Sequence, residues 1–270
     1  MRVLLTNDDG IEADGLQALR RALSAIAGIE LGVVAPDGNR SAMARSITTR
    51  RPLWVEERRF EDGTVGYATD GTPVDCVRLA SLGLIDGWSP DLVISGINHG
   101  SNLGDDITYS GTVAAALEGV VLGLPGIAVS QQSRALELDF RETAAFDFTV
   151  AAGFAARLVG ELNNAPLPPG TLLNVNAPGT DPRGVTVARL GKRIYRDELA
   201  LVEEGDPGRA LYRIYGEATD TPDERDTDII ALASGQIAIT PMHFDLTDHA
   251  GVEALVARDL ERLLEPLPSP

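Results

Sequence analysis

The chain has 270 residues, 44% of them hydrophobic, and a formal net charge of −17 at pH 7. This length suits one large globular domain, or one domain with an appendage, and the negative charge argues against a nucleic-acid polymer or an anionic membrane as partner. No stretch approaches the roughly 20 apolar residues of a membrane span. The single cysteine, Cys76, excludes an internal disulfide. We therefore expect a cytoplasmic protein with Cys76 packed in its core.

The first ten residues, MRVLLTNDDG, predict a buried strand that ends in a polar turn. The apolar run over 3–5 is followed by Asn7, Asp8 and Asp9, which places two adjacent carboxylates at the carboxyl end of a core strand. Because adjacent carboxylates repel each other, they require a cation or several hydrogen-bond donors. A metal site and an ordinary Asp-Gly turn, with Asp8 as a helix cap, both fit this tetrapeptide alone.

The next elements follow the strand, helix, strand order of a right-handed crossover unit. Apolar residues at a spacing of three to four predict a helix over 14–26, and 31–35 is interpreted as the second strand. The segment 35–46, APDGNRSAMARS, is typical of a loop and leaves this strand at the sheet edge that carries Asp8. Ser41 is thus available to the same site.

A β-hairpin and a second helix come next. Alternating residues at 52–56 and 65–69 predict the two strands of the hairpin. Thr72 then caps a helix that has Pro73 in its first turn, because a hydroxyl cap followed by proline is typical of a helix start.

The third core strand is predicted over 91–95. It runs into the loop SGINHGSNLG, whose glycines indicate that its backbone approaches another group closely. Asn98 in this loop lies at the same carboxyl edge as Asp8. We interpret its neighbour His99 as a solvated loop side chain and not as a general acid.

The tripeptide Ser110, Gly111 and Thr112 opens the next helix, over 113–122, which is followed by a strand over 127–130. The exposed N–H groups and the dipole of such a helix start can bind a phosphate. The same tripeptide also fits a Ser/Thr N-cap without any ligand, and the tripeptide alone favours the cap.

A long amphipathic helix is predicted over 143–162. Short apolar runs over 172–175 and 185–190 predict two further core strands, which we interpret as neighbours in the sheet.

The character of the chain changes after residue 190. Over 191–228 charged residues dominate and apolar periodicity fades, which predicts an extended hairpin arm that requires a partner subunit. A core strand over 237–240 and a helix over 252–264 close the chain. We therefore divide it into a catalytic domain over 1–190, the arm, and a C-terminal strand and helix over 229–270 that complete the fold and the subunit contacts.

The three predicted loops at the carboxyl edge carry Asp8, Asp9, Ser41 and Asn98. All four side chains offer oxygen ligands, which suit Mg²⁺ or Mn²⁺ better than zinc. A metal at this position can bridge a phosphate oxygen and lower the pKa of a bound water, which predicts hydrolysis of a phosphomonoester. The helix start at Ser110 would bind the remaining phosphate oxygens.

Five motifs, in this order, resemble the SurE survival-protein family of metal-dependent nucleotidases: NDDG, APDGNRSA, GTPVDCV, SGIN, and YSGT followed by ALEG. The likeness extends through the later stretch ITPMHFDLT. It implies an α/β fold of three layers, Rossmann-like, with a mostly parallel sheet flanked by helices and a C-terminal β-hairpin arm. It also implies hydrolysis of nucleoside 5′- and 3′-monophosphates and assembly into dimers or tetramers through that arm.

The resemblance implies one divalent cation per subunit, Mg²⁺ or Mn²⁺, at the positions matching Asp8, Asp9, Ser41 and Asn98. Our hypothesis is in-line attack on phosphorus by a metal-activated water, oriented by Asp8 or Asp9, with Asn98 and Ser110 stabilising the developing charge. The expected catalytic residues are Asp8, Asp9 and Asn98. The expected substrate-binding residues are Asn7, Ser110, Gly111 and Thr112.

Two other classes of protein provide alternatives. A phosphatase with an aspartyl nucleophile requires two aspartates separated by one residue after the first strand, whereas Asp8 and Asp9 are adjacent. A nucleotide-binding regulator without turnover could bind phosphate with the helix start at Ser110 alone. The four oxygen ligands favour an enzyme over this regulator.

Overall fold

The computed structural model describes residues 1–134, 146–192, 194–195, 199–206, 208–213, 218–220, 224–258 and 260–264. The strands are β1 Arg2–Thr6, β2 Glu30–Pro36, β3 Val55–Arg59, β4 Val65–Thr69, β5 Leu92–His99, β6 Gly126–Gln131, β7 Thr171–Ala177, β8 Val185–Val187, β9 Ile194–Tyr195, β10 Ala200–Glu204, β11 Ala210–Arg213, β12 Ala218–Asp220 and β13 Ile237–His243. The helices are α1 Asp14–Ser24, α2 Pro73–Ser81, α3 Gly111–Val121, α4 Thr149–Asn164, α5 Asp228–Ala233 and α6 His249–Val256. Short 3₁₀ helices span Gly104–Thr108 and Glu261–Leu264.

The centre of the fold is a nine-stranded sheet in the order β3-β4-β2-β1-β5-β6-β7-β13-β8. The strands from β4 to β7 along this order are parallel to one another, while β3 and β13 run antiparallel to their neighbours β4 and β7. Because the parallel strands share one direction, their carboxyl ends meet at one edge, and the loops that leave β1, β2 and β5 lie side by side.

The sheet is covered by helices on both faces. Side chains alternate along β1, so that Val3 and Leu5 pack in one core with Leu16 of α1, whereas Leu4 packs in another core with Val77 of α2. The first core also contains residues of α4, and the second contains Ala115 of α3. The predicted three-layer α/β fold is therefore confirmed.

Helix α2 begins as its sequence predicts. The Thr72 hydroxyl accepts a hydrogen bond from the Asp75 N–H, and the Asp75 carboxylate accepts one from the Thr72 N–H, with Pro73 in the first turn. Cys76 on this helix is buried in the core, and burial raises the pKa of its thiol, so it is a packing residue. None of the helices within the described ranges is long and apolar enough to cross a membrane.

The strands at the C-terminal side differ from the prediction. The segments 172–175 and 185–190 are not neighbours, because β13 lies between β7 and β8. Ile237 and Ala238 of β13 are buried, whereas β8 is short and its Val185 and Val187 are exposed. The more apolar strand thus takes the interior position.

Two predicted helices also have different bounds. The long helix begins at Thr149 instead of residue 143, and residues 143–145 lie outside the described residues. The last α-helix spans His249–Val256 and not 252–264, because the Asp248 carboxylate caps it by accepting from the Gly251 N–H at 2.9 Å. It buries none of its residues, so that no core favours a longer helix.

The predicted C-terminal hairpin arm is confirmed by β10 and β11, which pair antiparallel apart from the main sheet. The apolar side chains of this hairpin are about half exposed, namely Leu201, Val202, Leu211 and Tyr212. An isolated two-stranded hairpin is marginally stable in water. The division of the chain into 1–190, 191–228 and 229–270 stays a prediction.

Asp228 joins the base of this arm to the rest of the domain. Its buried carboxylate accepts hydrogen bonds from the N–H of Gly191 at 2.8 Å and of Gly104 at 2.9 Å, besides that of Ile229 in its own helix. Burial raises the pKa of this carboxyl, although the three backbone donors oppose the shift. One side chain thus fixes the arm base against the segment that follows β5.

We expect Asp228→Ala to lower the free energy of unfolding by about 3 kcal/mol, because the N–H groups of Gly104 and Gly191 lose their acceptor in a buried place. Urea unfolding followed by circular dichroism measures this change. Asp86→Ala, at an exposed carboxylate, is the control and should stay within about 0.5 kcal/mol of the wild type. An equal effect of both substitutions would contradict the role given to Asp228.

Candidate active site at the carboxyl edge of the sheet

Asp8 is the second residue after β1 and lies against the first turn of α3. It is 3% exposed, and its Oδ1 accepts a hydrogen bond from the Thr112 hydroxyl. A Cβ atom added to Gly111 would lie 2.7 Å from Asp8 Oδ2, so only a glycine leaves room for the carboxylate there. The NDDG and SGT motifs therefore meet in the fold, although Asp8 and Thr112 are 104 positions apart in the sequence.

The charge of Asp8 is only partly compensated by the protein. Burial, and then the neighbouring Asp9 charge, raise the pKa of Asp8 from 3.8 to about 6, and hydrogen bonds from the side chain and backbone of Thr112 oppose this shift. The positive end of the α3 dipole faces the same carboxylate. A cation would stabilise two adjacent carboxylates of this kind.

Asp9 is held mainly by the end of β5. Its Oδ2 accepts from the His99 ring nitrogen Nδ1 at 2.9 Å and from the His99 backbone N–H at 3.2 Å. Its Oδ1 accepts from Asn39 Nδ2 at a longer distance of 3.3 Å. The Asp9 side chain is 7% exposed, so this carboxylate is nearly enclosed by its partners.

The interpretation of His99 as a solvated bystander is wrong. Its ring is mostly buried and makes T-shaped contacts with Phe146 and Phe148, at centroid distances of 5.1 and 5.0 Å. Burial opposes a charge on the ring, yet the hydrogen bond and the charge of Asp9 outweigh it and raise the pKa of His99. Its partner Asp9 lies 90 positions away, and no local pattern shows this contact.

Asn98 lies within β5 and not in a loop after it, because the strand runs to His99 instead of ending at residue 95. The register shifts between Ser95 and Asn98, which marks a bulge. Gly96 permits it, since its φ is +134° and a Cβ there would lie 2.2 Å from the Val129 carbonyl oxygen. Asn98 Nδ2 donates to the Gly100 carbonyl at 2.9 Å, which leaves the amide oxygen for another partner.

The loop after β2 brings Ser41 to the same edge, as predicted. The Arg40 N–H donates to the Asp8 carbonyl at 2.6 Å, and the Ser41 N–H donates to Asn39 Oδ1 at 2.9 Å. Asn39 in turn contacts Asp9. These bonds attach the loop that carries Ser41 to Asp8 and Asp9.

The predicted substrate-binding residues have structural contacts of their own. Asn7 is buried, and its amide group bonds to both the N–H and the carbonyl of Gly10, which closes the NDDG turn. The Ser110 hydroxyl caps α3 by accepting from the Val113 N–H at 3.1 Å. Within the described chain the Gly111 N–H has no such partner. A contact between these residues and a substrate stays a prediction.

Sequence reasoning missed a set of buried amides behind the site. Asn176 of β7 accepts from the Asn102 N–H at 2.8 Å and donates to the Asn102 carbonyl at 2.9 Å, and Asn174 donates to the same carbonyl. Asn102 also donates to the Ser130 hydroxyl at 2.7 Å. Asparagines at 174 and 176 in an otherwise apolar strand are the signal, since buried amides require partners.

The donor set fits a hard divalent cation. Asp8 and Asp9 supply charge, and the Asn98 amide and the Ser41 hydroxyl supply neutral oxygens. Across the described ranges, no group of three or more His, Cys, Asp or Glu side chains is arranged to hold a metal ion. A cation at this edge would therefore rely on two carboxylates and on neutral ligands.

Fold and site define a Rossmann-like α/β protein with a polar site at the carboxyl ends of adjacent parallel strands. A family model described as "Survival protein SurE" matches residues 3–197. The chain therefore belongs to the SurE family.

Known proteins of this family resemble the chain over nearly its whole length. A protein from Rubrobacter xylanophilus named 5′-nucleotidase SurE is 54% identical, covering 98% of this chain and 99% of its own length. A protein of the same name from Chloroflexus aggregans is 47% identical, covering 94% and 98%. The crystal structure of the SurE protein from Aquifex aeolicus superposes with a TM-score of 0.78 at 37% identity, covering 94% of this chain and 98% of the other.

We expect two substitutions to move the pKa of Asp8 in opposite directions from about 6 in metal-free protein. Asp9→Asn removes the neighbouring charge and should lower it, whereas Thr112→Val removes a hydrogen bond to the carboxylate and should raise it. Carboxyl ¹³C chemical shifts recorded against pH measure both values. Shifts of the same sign in the two variants would contradict this electrostatic description.

Proposed function

We propose that this protein is a 5′-nucleotidase that hydrolyses nucleoside monophosphates to nucleoside and phosphate and requires a divalent cation. The names of its relatives support the activity. The cation requirement is supported by one observation, the adjacent carboxylates Asp8 and Asp9 at the sheet edge, with Asp8 buried against the first turn of α3. Ser41 and Asn98, on the segments that bond to these two residues, are the proposed neutral ligands. Activity on 3′-monophosphates and cytoplasmic residence, both expected from the sequence, belong to this proposal.

Asp8, Asp9, Ser41 and Asn98 would hold one Mg²⁺ or Mn²⁺ per subunit. When bound, the cation would neutralise charge on the phosphate and lower the pKa of a water molecule. Asn98 would contribute its amide oxygen, because its amide nitrogen already donates to Gly100.

The protein groups around this position have separate tasks in our proposal. Gly111, through its N–H, and Ser110 would bind phosphate oxygens at the positive end of α3. Asp8 or Asp9 would orient the attacking water for in-line displacement. The adjacent spacing of these aspartates does not fit an aspartyl nucleophile.

We expect metal-stripped protein to release no phosphate from nucleoside 5′- and 3′-monophosphates until Mg²⁺ or Mn²⁺ is added. Asp8→Asn and Asn98→Ala should each reduce release by about 100-fold or more, since both remove a ligand and disturb the reacting geometry. A colorimetric phosphate assay across a panel of nucleotides measures this and identifies the preferred base.

Two glycine variants provide a matched pair for the same assay. Gly111→Ala should abolish release because its new Cβ would displace Asp8. Gly160→Ala, on α4, meets no atom closer than 3.8 Å and should leave the rate unchanged. A wild type that binds nucleotide but stays inactive with every cation would indicate a regulator instead, and a trapped phosphoenzyme would indicate an aspartyl nucleophile.

We further propose that the chain forms homodimers or homotetramers through the arm. The half-exposed apolar side chains of the β10 and β11 hairpin support this, because they lack a core of their own.

Light scattering should therefore give the wild type a mass of two or four chains, and Leu211→Glu should reduce it. Leu82→Glu is the control, at a side chain that is 84% exposed outside the arm. A monomeric wild type, or an equal effect of the two substitutions, would exclude assembly through this surface.

A further inference from the structure

We propose that His99 is a positioning residue that fixes the Asp9 carboxylate in the orientation required by the cation. This inference rests on the proposed function, because it assigns a role within the same site. The observation that carries it is the pair of hydrogen bonds from one residue, through Nδ1 at 2.9 Å and the backbone N–H at 3.2 Å, to the single oxygen Oδ2.

Two donors on one carboxylate oxygen fix the plane of the group and free the other oxygen. From the described part of the chain, Oδ1 accepts a single hydrogen bond, from Asn39 at 3.3 Å. A bond of this length can be kept or lost at little cost when Oδ1 binds a cation. Outer partners of this kind orient the groups that bind a metal. His99 therefore leaves Oδ1 as the Asp9 oxygen for the cation.

The place of His99 in the sheet strengthens this effect. It follows Asn98 at the end of β5, and β5 pairs directly with β1, with Thr6 opposite Ser95. The bond from His99 to Asp9 thus fixes the ligands of β1 against the ligand of β5. The bulge in β5, between Ser95 and Asn98, comes directly before the pair Asn98 and His99.

The imidazole ring itself is held in place by two aromatic side chains. Phe146 and Phe148 stack on each other at 5.3 Å with an interplanar angle of 2°, and both meet the ring of His99 edge to face. Their packing limits rotation of the ring and keeps Nδ1 toward Asp9. Nδ1 carries a hydrogen both in the matching neutral tautomer and in the charged ring, so the role does not depend on the charge of His99.

The experiment measures Mn²⁺ affinity of metal-stripped protein without substrate, by the loss of the free Mn²⁺ signal in electron paramagnetic resonance. We expect His99→Ala to weaken binding about 10- to 100-fold, as loss of an outer partner does. His99→Asn should recover most of that affinity, because its amide nitrogen replaces Nδ1. His99→Gln should recover less, since its amide nitrogen replaces Nε2 instead.

His243→Ala is the matched control for nonspecific binding to histidine and should bind Mn²⁺ like the wild type, since His243 is an exposed side chain at the end of β13.

If His99→Ala loses its fold, His99→Gln carries the same test, because it keeps a polar side chain of similar length. Wild-type affinity in His99→Ala, or equal weakness in His99→Ala and His99→Asn, would overturn the role of the Nδ1 donor. A wild type that binds no Mn²⁺ would overturn the proposed function itself.

Discussion

Repulsion between the adjacent carboxylates of Asp8 and Asp9 is the constraint to which the rest of the site responds. Each carboxylate accepts hydrogen bonds from a different element, Asp8 from the first turn of α3 and Asp9 from the end of β5. These donors are not sufficient, because the pKa of Asp8 remains raised to about 6. A bound cation, as proposed above, would offset this remaining negative charge at the carboxyl edge of the sheet.

The parts of this site that follow from local patterns were accessible from the sequence. A core strand that ends in Asp8 and Asp9, and the helix starts at Thr72 and Ser110, depend on neighbouring residues and on the shared direction of parallel strands. The place of β13 between β7 and β8 could not be predicted in this way, since it depends on which of several distant strands takes the interior position of the sheet. The contact of His99 with Asp9 likewise joins residues 90 positions apart, which no local spacing predicts.

The buried asparagines of β7 show how a polar signal can be present in a sequence without indicating its partner. Asn176 is fully buried in a strand whose neighbouring residues Val175 and Ala177 are apolar. Its two bonds to the backbone of Asn102 bind the glycine-rich loop to the sheet. The amides therefore provide rigidity to a segment whose glycines would otherwise leave it free to move.

The carboxylate of Asp228 has a mechanical consequence for the whole molecule. Because it bonds to Gly191 at the arm base and to Gly104 just beyond the loop of the site, neither can shift alone without breaking a buried hydrogen bond. A displacement of the arm base would therefore have to carry Gly104 with it or leave a buried donor without its acceptor.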